Sequence, residues 1–504
     1  MSPASDLQQD RERFEKEKDL SSKSEVDVPE VAMQKDLAVQ TDEEANVPAG
    51  GEDVFKVGGE GADFRGVSMF GAAILVVKTS FGLGVLGIPT TFAALGFFPG
   101  LLCLVILSIV STLAGWYIGR FRLHHPSVHS IGDVGFLLFG EAGREFLGVS
   151  LWLFYTLSYG SGALATSIAF NSITDHATCT MVWVVVAAII AFVIGSMLRT
   201  LKSLVWLGSA AIVSVFLAVW IAAIASLVLK RPAAAPAYPA PVELNNGPFA
   251  SSTSFAAVMA AISTQLFSLC GTASFFQIHS EMRDHRQWTK SLCLGQGFVC
   301  LNYIATSVII YAKVGQYVPS PLLGVGGEVV KKVAYGIALP ALLYTCIFQA
   351  HIAAKYAFVR ILRNTRHLQS STKIHWLTWV GSMTAVCIFG FIVACAVPFF
   401  GGLLGLIGAL LGTTFMITVP ALMYLYDAAF LAKGSEHGLR YKVHTWLRHG
   451  LSSRPLYGLI AIFFVVAGLF ITVASTYGSI DGIVESFETG SNGAAFSCVN
   501  NAGS

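Results

Sequence analysis

Val77-Lys78-Thr79-Ser80-Phe81-Gly82-Leu83-Gly84-Val85-Leu86-Gly87-Ile88-Pro89 sets a lysine and three glycines inside an apolar segment running from about residue 66 to 96. Such a segment is long enough to cross a hydrocarbon core of about 30 Å. A charge at that depth is costly and glycines weaken a helix, so the default meaning of the pattern is a binding site within a membrane. Gly82, Gly84 and Gly87 free the backbone and Pro89 removes a donor, which favours a local break near residues 80–86. A broken helix offers amide N–H groups on one side, suited to a carboxylate, and carbonyls on the other, suited to an ammonium or a cation. Read alone, the glycines equally fit close helix packing.

The composition excludes a soluble globule. Hydrophobic residues make up 54% and charged residues 12% of the 504-residue chain, and the mean hydropathy is +0.65. A soluble domain carries about 25% charged residues. The net charge of +2 is spread between apolar runs without a dense basic patch, so lipid, and not nucleic acid, is the expected partner. Nine cysteines show no C-x-x-C spacing, which argues against a metal site.

Residues 1–65 alternate Lys, Arg, Asp and Glu with a glycine-rich end and read as a disordered cytoplasmic tail. Eleven apolar spans follow, at roughly 66–96, 98–120, 145–170, 181–198, 202–229, 253–279, 290–312, 334–359, 376–398, 402–429 and 456–478. Arg120, Arg144, Arg283, Arg360, Lys433 and Arg448 fall in loops on one side, while the other side holds few cations. That imbalance predicts a cytoplasmic N-terminus and, with an odd number of spans, an external C-terminus. Cys179 and Cys498 then share the external side, free to pair or to remain two thiols.

The sixth span contains a small polar run, Ser268-Leu269-Cys270-Gly271-Thr272-Ala273-Ser274, five spans after the first break. Interrupted helices at matching places in two halves point to an inverted repeat with its site at the midplane. The expected fold is an all-α membrane protein of eleven transmembrane helices, a 5+5 inverted repeat with one appended helix. Its parts are repeat one at 66–229, an external loop at 230–252, repeat two at 253–429, a cytoplasmic loop and eleventh helix at 430–478, and an external tail at 479–504.

Lys78 lies about 15 Å into its span, near the bilayer centre. Tyr155 and Tyr159 share a face of span three with Ser158. His351 is the one histidine placed well inside a span, where it either relays a proton or bonds within the bundle. No acidic residue sits mid-span, which leaves an intramembrane enzyme without its catalytic cluster. No ring of charges suggests a channel.

The Val77-Lys78…Gly82-Leu83-Gly84…Gly87-Ile88-Pro89 pattern resembles the first-span motif of the amino acid/auxin permease family, the transmembrane amino acid transporter proteins, and its fungal neutral amino acid permeases in particular. Glu281-Met282-Arg283-Asp284 resembles that family's segment after span six. The likeness covers residues 65–480 and implies a fold like that of the bacterial leucine transporter. It also implies that the substrate's carboxylate and amino groups meet the backbone around Ser80, Gly82, Gly84 and Leu86 on one break and around Ser268, Cys270, Gly271, Thr272 and Ser274 on the other. Lys78 fits the proton-linked branch, standing where sodium sits in other members. Tyr155 and Tyr159 are candidates by depth alone, hydroxyls that either line the site or bond a neighbouring helix.

The expected function is therefore proton-coupled symport of neutral or aromatic amino acids, driven by a proton gradient without a cofactor. The plasma membrane is placed ahead of the vacuolar membrane. The alternative is an amino-acid sensor of the same fold, separable from a carrier only by flux.

Overall fold

A computed structural model describes residues 66–198, 201–236, 240–250, 253–363, 365–368, 370–434, 436, 438–489 and 494–502; the expected tail at 1–65 lies outside the described residues. The first span is two helices, α1 (Met69–Ser80) and α2 (Gly84–Leu95), bent by 44°. Ser68 starts α1, its hydroxyl accepting from the Gly71 amide at 3.2 Å. There follow α3 (Phe97–His124), α4 (Ile131–Thr174), α5 (Thr180–Met197) and α6 (Leu201–Val228). The sixth span is again two helices, α7 (Phe255–Leu269) and α8 (Thr272–Ser280).

The remainder is α9 (Trp288–Val314), α10 (Gly327–Leu362), α11 (Lys373–Ala396), α12 (Phe400–Ile407), α13 (Val419–Lys433), α14 (Val443–Ser453) and α15 (Pro455–Glu488). A π-helical stretch at residues 408–418 joins α12 to α13. Such wide turns leave carbonyls free for other partners. Helix α10 sits at the centre, packed on α4 and α6, whereas α15 is peripheral and mostly lipid-facing.

Among the described residues, nine helices are long and apolar enough to cross a membrane, or ten with the bent α1–α2 pair, so the expected eleven is not reached on these grounds. The shortfall is α4. Its buried Thr156, Ser158, Ser161, Thr166, Ser167 and Asn171 lower its hydropathy while facing the bundle. The helix also begins earlier than the expected residue 145. It turns sharply at Gly140, whose φ of +59° favours glycine and whose added Cβ would stand 2.7 Å from the Tyr441 hydroxyl. The last helix runs to Glu488, past the expected end at residue 478, so the tail is shorter than expected.

That tail is fastened. Cys179 and Cys498 form a disulfide, deciding the open pairing. The Asn501 side chain accepts from Asn171 Nδ2 at 2.8 Å and donates to Ser167 Oγ at 3.0 Å, and Thr180 Oγ1 donates to the Val499 carbonyl at 2.7 Å. The Phe496 amide donates to the Cys395 carbonyl at 2.8 Å. The strap thus joins the ends of α4, α5 and α11.

The opposite, basic end is closed by ionic and backbone ties. Val67 pairs with Met282 in a short bridge, its amide donating to the Glu281 carbonyl at 3.0 Å, and Glu281 forms an ion pair with Lys355 of α10. Asp427 of α13 accepts from the Tyr117 hydroxyl at 2.9 Å and from His124 Nδ1 at 2.9 Å, with His125 Nε2 at 3.4 Å. His125 also bonds Glu436 through Nδ1 at 3.0 Å. Burial pulls the His125 pKa down, but the hydrogen bonds to Asp427 and Glu436 outweigh it, and the net direction is upward.

Two outcomes are expected. With the strap on the outer face of the plasma membrane, as the distribution of cations predicts, a membrane-impermeant maleimide should label C179S at the freed Cys498 in intact cells, whereas the wild type should gain external labelling only after reduction. Because His125 titrates above the ordinary imidazole value of about 6.5, its stabilising contribution should be complete below that pH and lost as pH rises through the raised value. Thermal melts of purified wild-type protein should fall across that window, and those of H125N should not show this component.

Candidate functional site

At the first break the α-helical ladder stops at Phe81, whose amide donates to the Val77 carbonyl at 2.6 Å. The Gly82 amide donates to the Ser80 carbonyl at 2.9 Å, and regular bonding resumes in α2. At the second break the Cys270 amide donates to the Phe267 carbonyl at 3.2 Å and that of Gly271 to Leu269 at 2.9 Å, before α8 begins. The two interruptions touch: Ser268 Oγ donates to the Gly84 carbonyl at 3.3 Å and to Thr264 at 2.7 Å. The sequence reading of paired interruptions holds in position, with the sharp bend of 44° at the first.

Polar groups from neighbouring helices satisfy most of the released carbonyls. The Tyr303 hydroxyl, from α9, donates to the Ser80 carbonyl at 2.6 Å and to the Ser268 carbonyl at 3.1 Å. Ser111 Oγ donates to the Leu269 carbonyl at 2.7 Å and accepts from Gln296 Nε2 at 3.2 Å. Cys270 Sγ lies 3.5 Å from the Gly412 carbonyl in the π-helical stretch, and 3.7 Å from Thr272 Oγ1. Ser274 Oγ donates to the Gly271 carbonyl at 3.0 Å. Each such bond contributes about 1 kcal/mol, while a buried carbonyl left bare costs about 1–3 kcal/mol, so this lining fixes the breaks.

Other groups remain open. Among the described residues, Lys78 Nζ and Ser80 Oγ are buried without a hydrogen-bond partner, both in the last turn of α1. The Lys78 ammonium lies 5.2 Å over the Tyr344 ring of α10. A Cβ added at Gly82 would stand 3.5 Å from Lys78 Nζ and 3.2 Å from Thr345 Oγ1, so the lysine is folded against the break and α10 together. Buried polar atoms without partners are rare in native proteins and call for a ligand, a charge-transfer role or strain.

The structure divides the two tyrosines. Tyr155 lies beside Ser274 and Cys270, at the second break. Tyr159 lies beside Cys346 and Cys387, and a Cβ at Gly390 of α11 would stand 2.2 Å from its ring. It therefore packs on α11, away from the polar ends. His351 is fully buried, edge-on to Trp379 at 5.3 Å and beside the backbone of Gly195 and Leu198 at the end of α5. It stands about 7.5 Å along α10 from Cys346, toward the basic end. Leu86 is fully buried in α2.

Toward the strap end a cavity of about 380 Å³ opens, lined among others by Gln316, Tyr317, Ser320, Phe399, Gly401 and Ser486, with no charged side chain in its wall. No group of three or more His, Cys, Asp or Glu side chains among the described residues is placed to hold a metal. Sequence reasoning missed Tyr303, Tyr344 and Thr345. A tyrosine in an apolar span was the available signal, as it was for Tyr155, but nothing in spacing marked Tyr303.

Comparison with known proteins bears on this arrangement. The sequence is 35% identical over 452 residues to a transmembrane transporter of Gibberella moniliformis, covering 90% of this chain and 91% of that one. It is 28% identical over 432 residues to the N amino acid transport system protein of Neurospora crassa, covering 84% and 87%. The structure superposes on a substrate-bound, outward-open Na+-coupled sialic acid symporter with a TM-score of 0.51 at 14% identity, covering 82% of this chain and 92% of that one, a likeness of fold alone. The fold is thus all-helical and of the leucine-transporter-like type. The profile of transmembrane amino acid transporter proteins matches residues 65–432, and the chain belongs to that family.

Proposed function

We propose that the chain is a proton-driven symporter of neutral amino acids, aromatic ones included, which binds its substrate between the two helix breaks. The carrying observation is a buried lysine and a buried serine hydroxyl, both without hydrogen-bond partners, at an interrupted helix in a member of an amino acid transporter family. The N–H groups opening α2 and α8 suit a carboxylate, and the carbonyl ends of α1 and α7 suit an ammonium. Ser80, Gly82, Gly84 and Leu86 supply the first side of this seat, and Ser268, Cys270, Gly271, Thr272 and Ser274 the second. Tyr155 borders the second side, whereas Tyr159, turned from α4 onto α11, lies outside the seat.

Substrate charge is restricted by what the walls lack. The buried carboxylates Glu281 and Asp427 both lie at the basic end, tied to Lys355 and to histidines. The cavity at the other end has no charged lining. A zwitterion needs only the partial charges of helix ends, whereas a cationic side chain needs a carboxylate to replace its water.

Lys78 is the coupling group in this reading. Held between the break and α10, it places a titratable positive charge where sodium-driven relatives of the fold place the metal ion. His351 and then the Lys355–Glu281 pair continue along α10 toward the basic end and form the exit route for the proton. Ties at the basic end fit a carrier closed to the cytoplasm. The full arrangement is eleven spans, α4 included, as two inverted sets of five and α15 appended, in the plasma membrane with the strap outside.

In cells lacking their own amino acid uptake, the wild type should accumulate labelled neutral amino acids faster at acid external pH, and equally well when choline replaces sodium. Lys78→Ala should reach the membrane yet lose the acid stimulation. Undiminished stimulation in that variant removes the coupling role of Lys78, and absence of wild-type flux with retained amino acid binding would indicate a sensor.

A further inference from the structure

Tyr303 belongs to neither broken helix, yet it is the point at which they meet. Its side chain is fully buried, and its ring lies nearly parallel to that of Phe81 in the first break, at 5.9 Å and 21°. Its hydroxyl donates to the Ser80 carbonyl at 2.6 Å and to the Ser268 carbonyl at 3.1 Å. One carbonyl ends α1 and the other lies in the last turn of α7. A Cβ at Gly84 would stand 2.5 Å from that hydroxyl and 2.9 Å from Ser268, so glycine is required there for the tyrosine to reach both carbonyls.

A phenol has a single proton to give, and two acceptors share it. The nearer is Ser80, so any shift of α1 relative to α7 changes which carbonyl holds the hydroxyl. Packing alone needs only the ring; the oxygen placed between two chain ends needs a further reason. We propose that Tyr303 is a positioning residue that sets the spacing of the two breaks, and through it the seat for the polar end of the substrate. It acts through the Ser80 and Ser268 carbonyls without carrying the substrate's side-chain selectivity. The inference rests on the amino acid transport proposed above and names the residue that regulates the geometry of that site.

The test uses the full chain in transport-deficient cells, with the surface amount read from an external tag. Uptake of a labelled amino acid is competed by the same amino acid and by its desamino analogue, which keeps side chain and carboxylate. Y303F retains the stacked ring and loses one oxygen. It should reach the surface, raise the half-saturation concentration about tenfold, and lower the preference for the amino acid over the desamino analogue by a similar factor. The ranking among amino acids of different side chains should stay unchanged.

G84A, which presses a methyl on the same hydroxyl, should lower the preference in the same direction. Y311F removes another buried tyrosine hydroxyl, one that donates to the Asn245 carbonyl at 3.3 Å outside the breaks, and should leave the preference intact. A wild-type preference in either Y303F or G84A overturns the role of Tyr303 while leaving transport in place. Failure of the wild type to move any amino acid overturns the transport reading itself.

Discussion

Backbone amides and carbonyls released inside an apolar bundle have no water to meet, and every one must find a partner within the protein or a ligand. Two interrupted helices create this demand twice in one place, and much of the neighbouring polar chemistry answers it. Ser111 reaches from α3 to the Leu269 carbonyl and is itself held by Gln296 of α9, Tyr303 covers Ser80 and Ser268, and Ser268 covers Gly84. The helices that supply these groups are thereby fixed in register against α1 and α7. Small residues are required at the crossing because polar atoms and chain must approach within contact distance, as at Gly84.

The same scarcity of water explains how charge is distributed. Full charges gather at the basic end, where Asp427, Glu281 and Asp133 are each paired with a cation or a histidine. These ties join elements that follow or precede the broken helices, so they hold the basic end shut in this conformation. The strap end is held differently. Its disulfide, the Asn501 contacts and the Phe496 amide on the Cys395 carbonyl tie the C-terminal strap to α5, α4 and α11. Helix α4 takes part at both ends, through Asp133 at the basic end and through Ser167 and Asn171 at the strap.

Much of this was legible in the residues. Glycines with a charge in the first span, and a small polar run in the sixth, marked both interruptions because only special residues tolerate them in an apolar helix. Span positions followed from apolar length. Helix α4, the third span, is less apolar than the others because its bundle-facing surface is lined with hydroxyls, which satisfy themselves on carbonyls one turn back, as Ser158 does on Phe154 at 2.6 Å. Tyr303 was not legible, because a tyrosine in a span looks the same whether its hydroxyl ends at a helix break or at a neighbouring turn. Tyr155 and Tyr159 share a helical face, yet α4 is buried on nearly all sides, so one residue meets the second break and the other meets α11. Shared face did not mean shared site.

Lys78 also constrains what else the bundle can hold. Two like charges about 8 Å apart at an effective dielectric near 20 repel by about 2 kcal/mol, roughly a thirtyfold loss in affinity. A cationic side chain entering beside a charged Lys78 meets that penalty with no carboxylate to offset it, since the buried acids are occupied at the far end. An anionic side chain is attracted by Lys78 but must shed its own hydration in a wall that lacks other charges. A zwitterion with an uncharged side chain avoids both costs, its two charges facing the oppositely signed ends of the same pair of broken helices. In the symport reading proposed above, the lysine would select against charge on the substrate from the same position in which it would carry the proton.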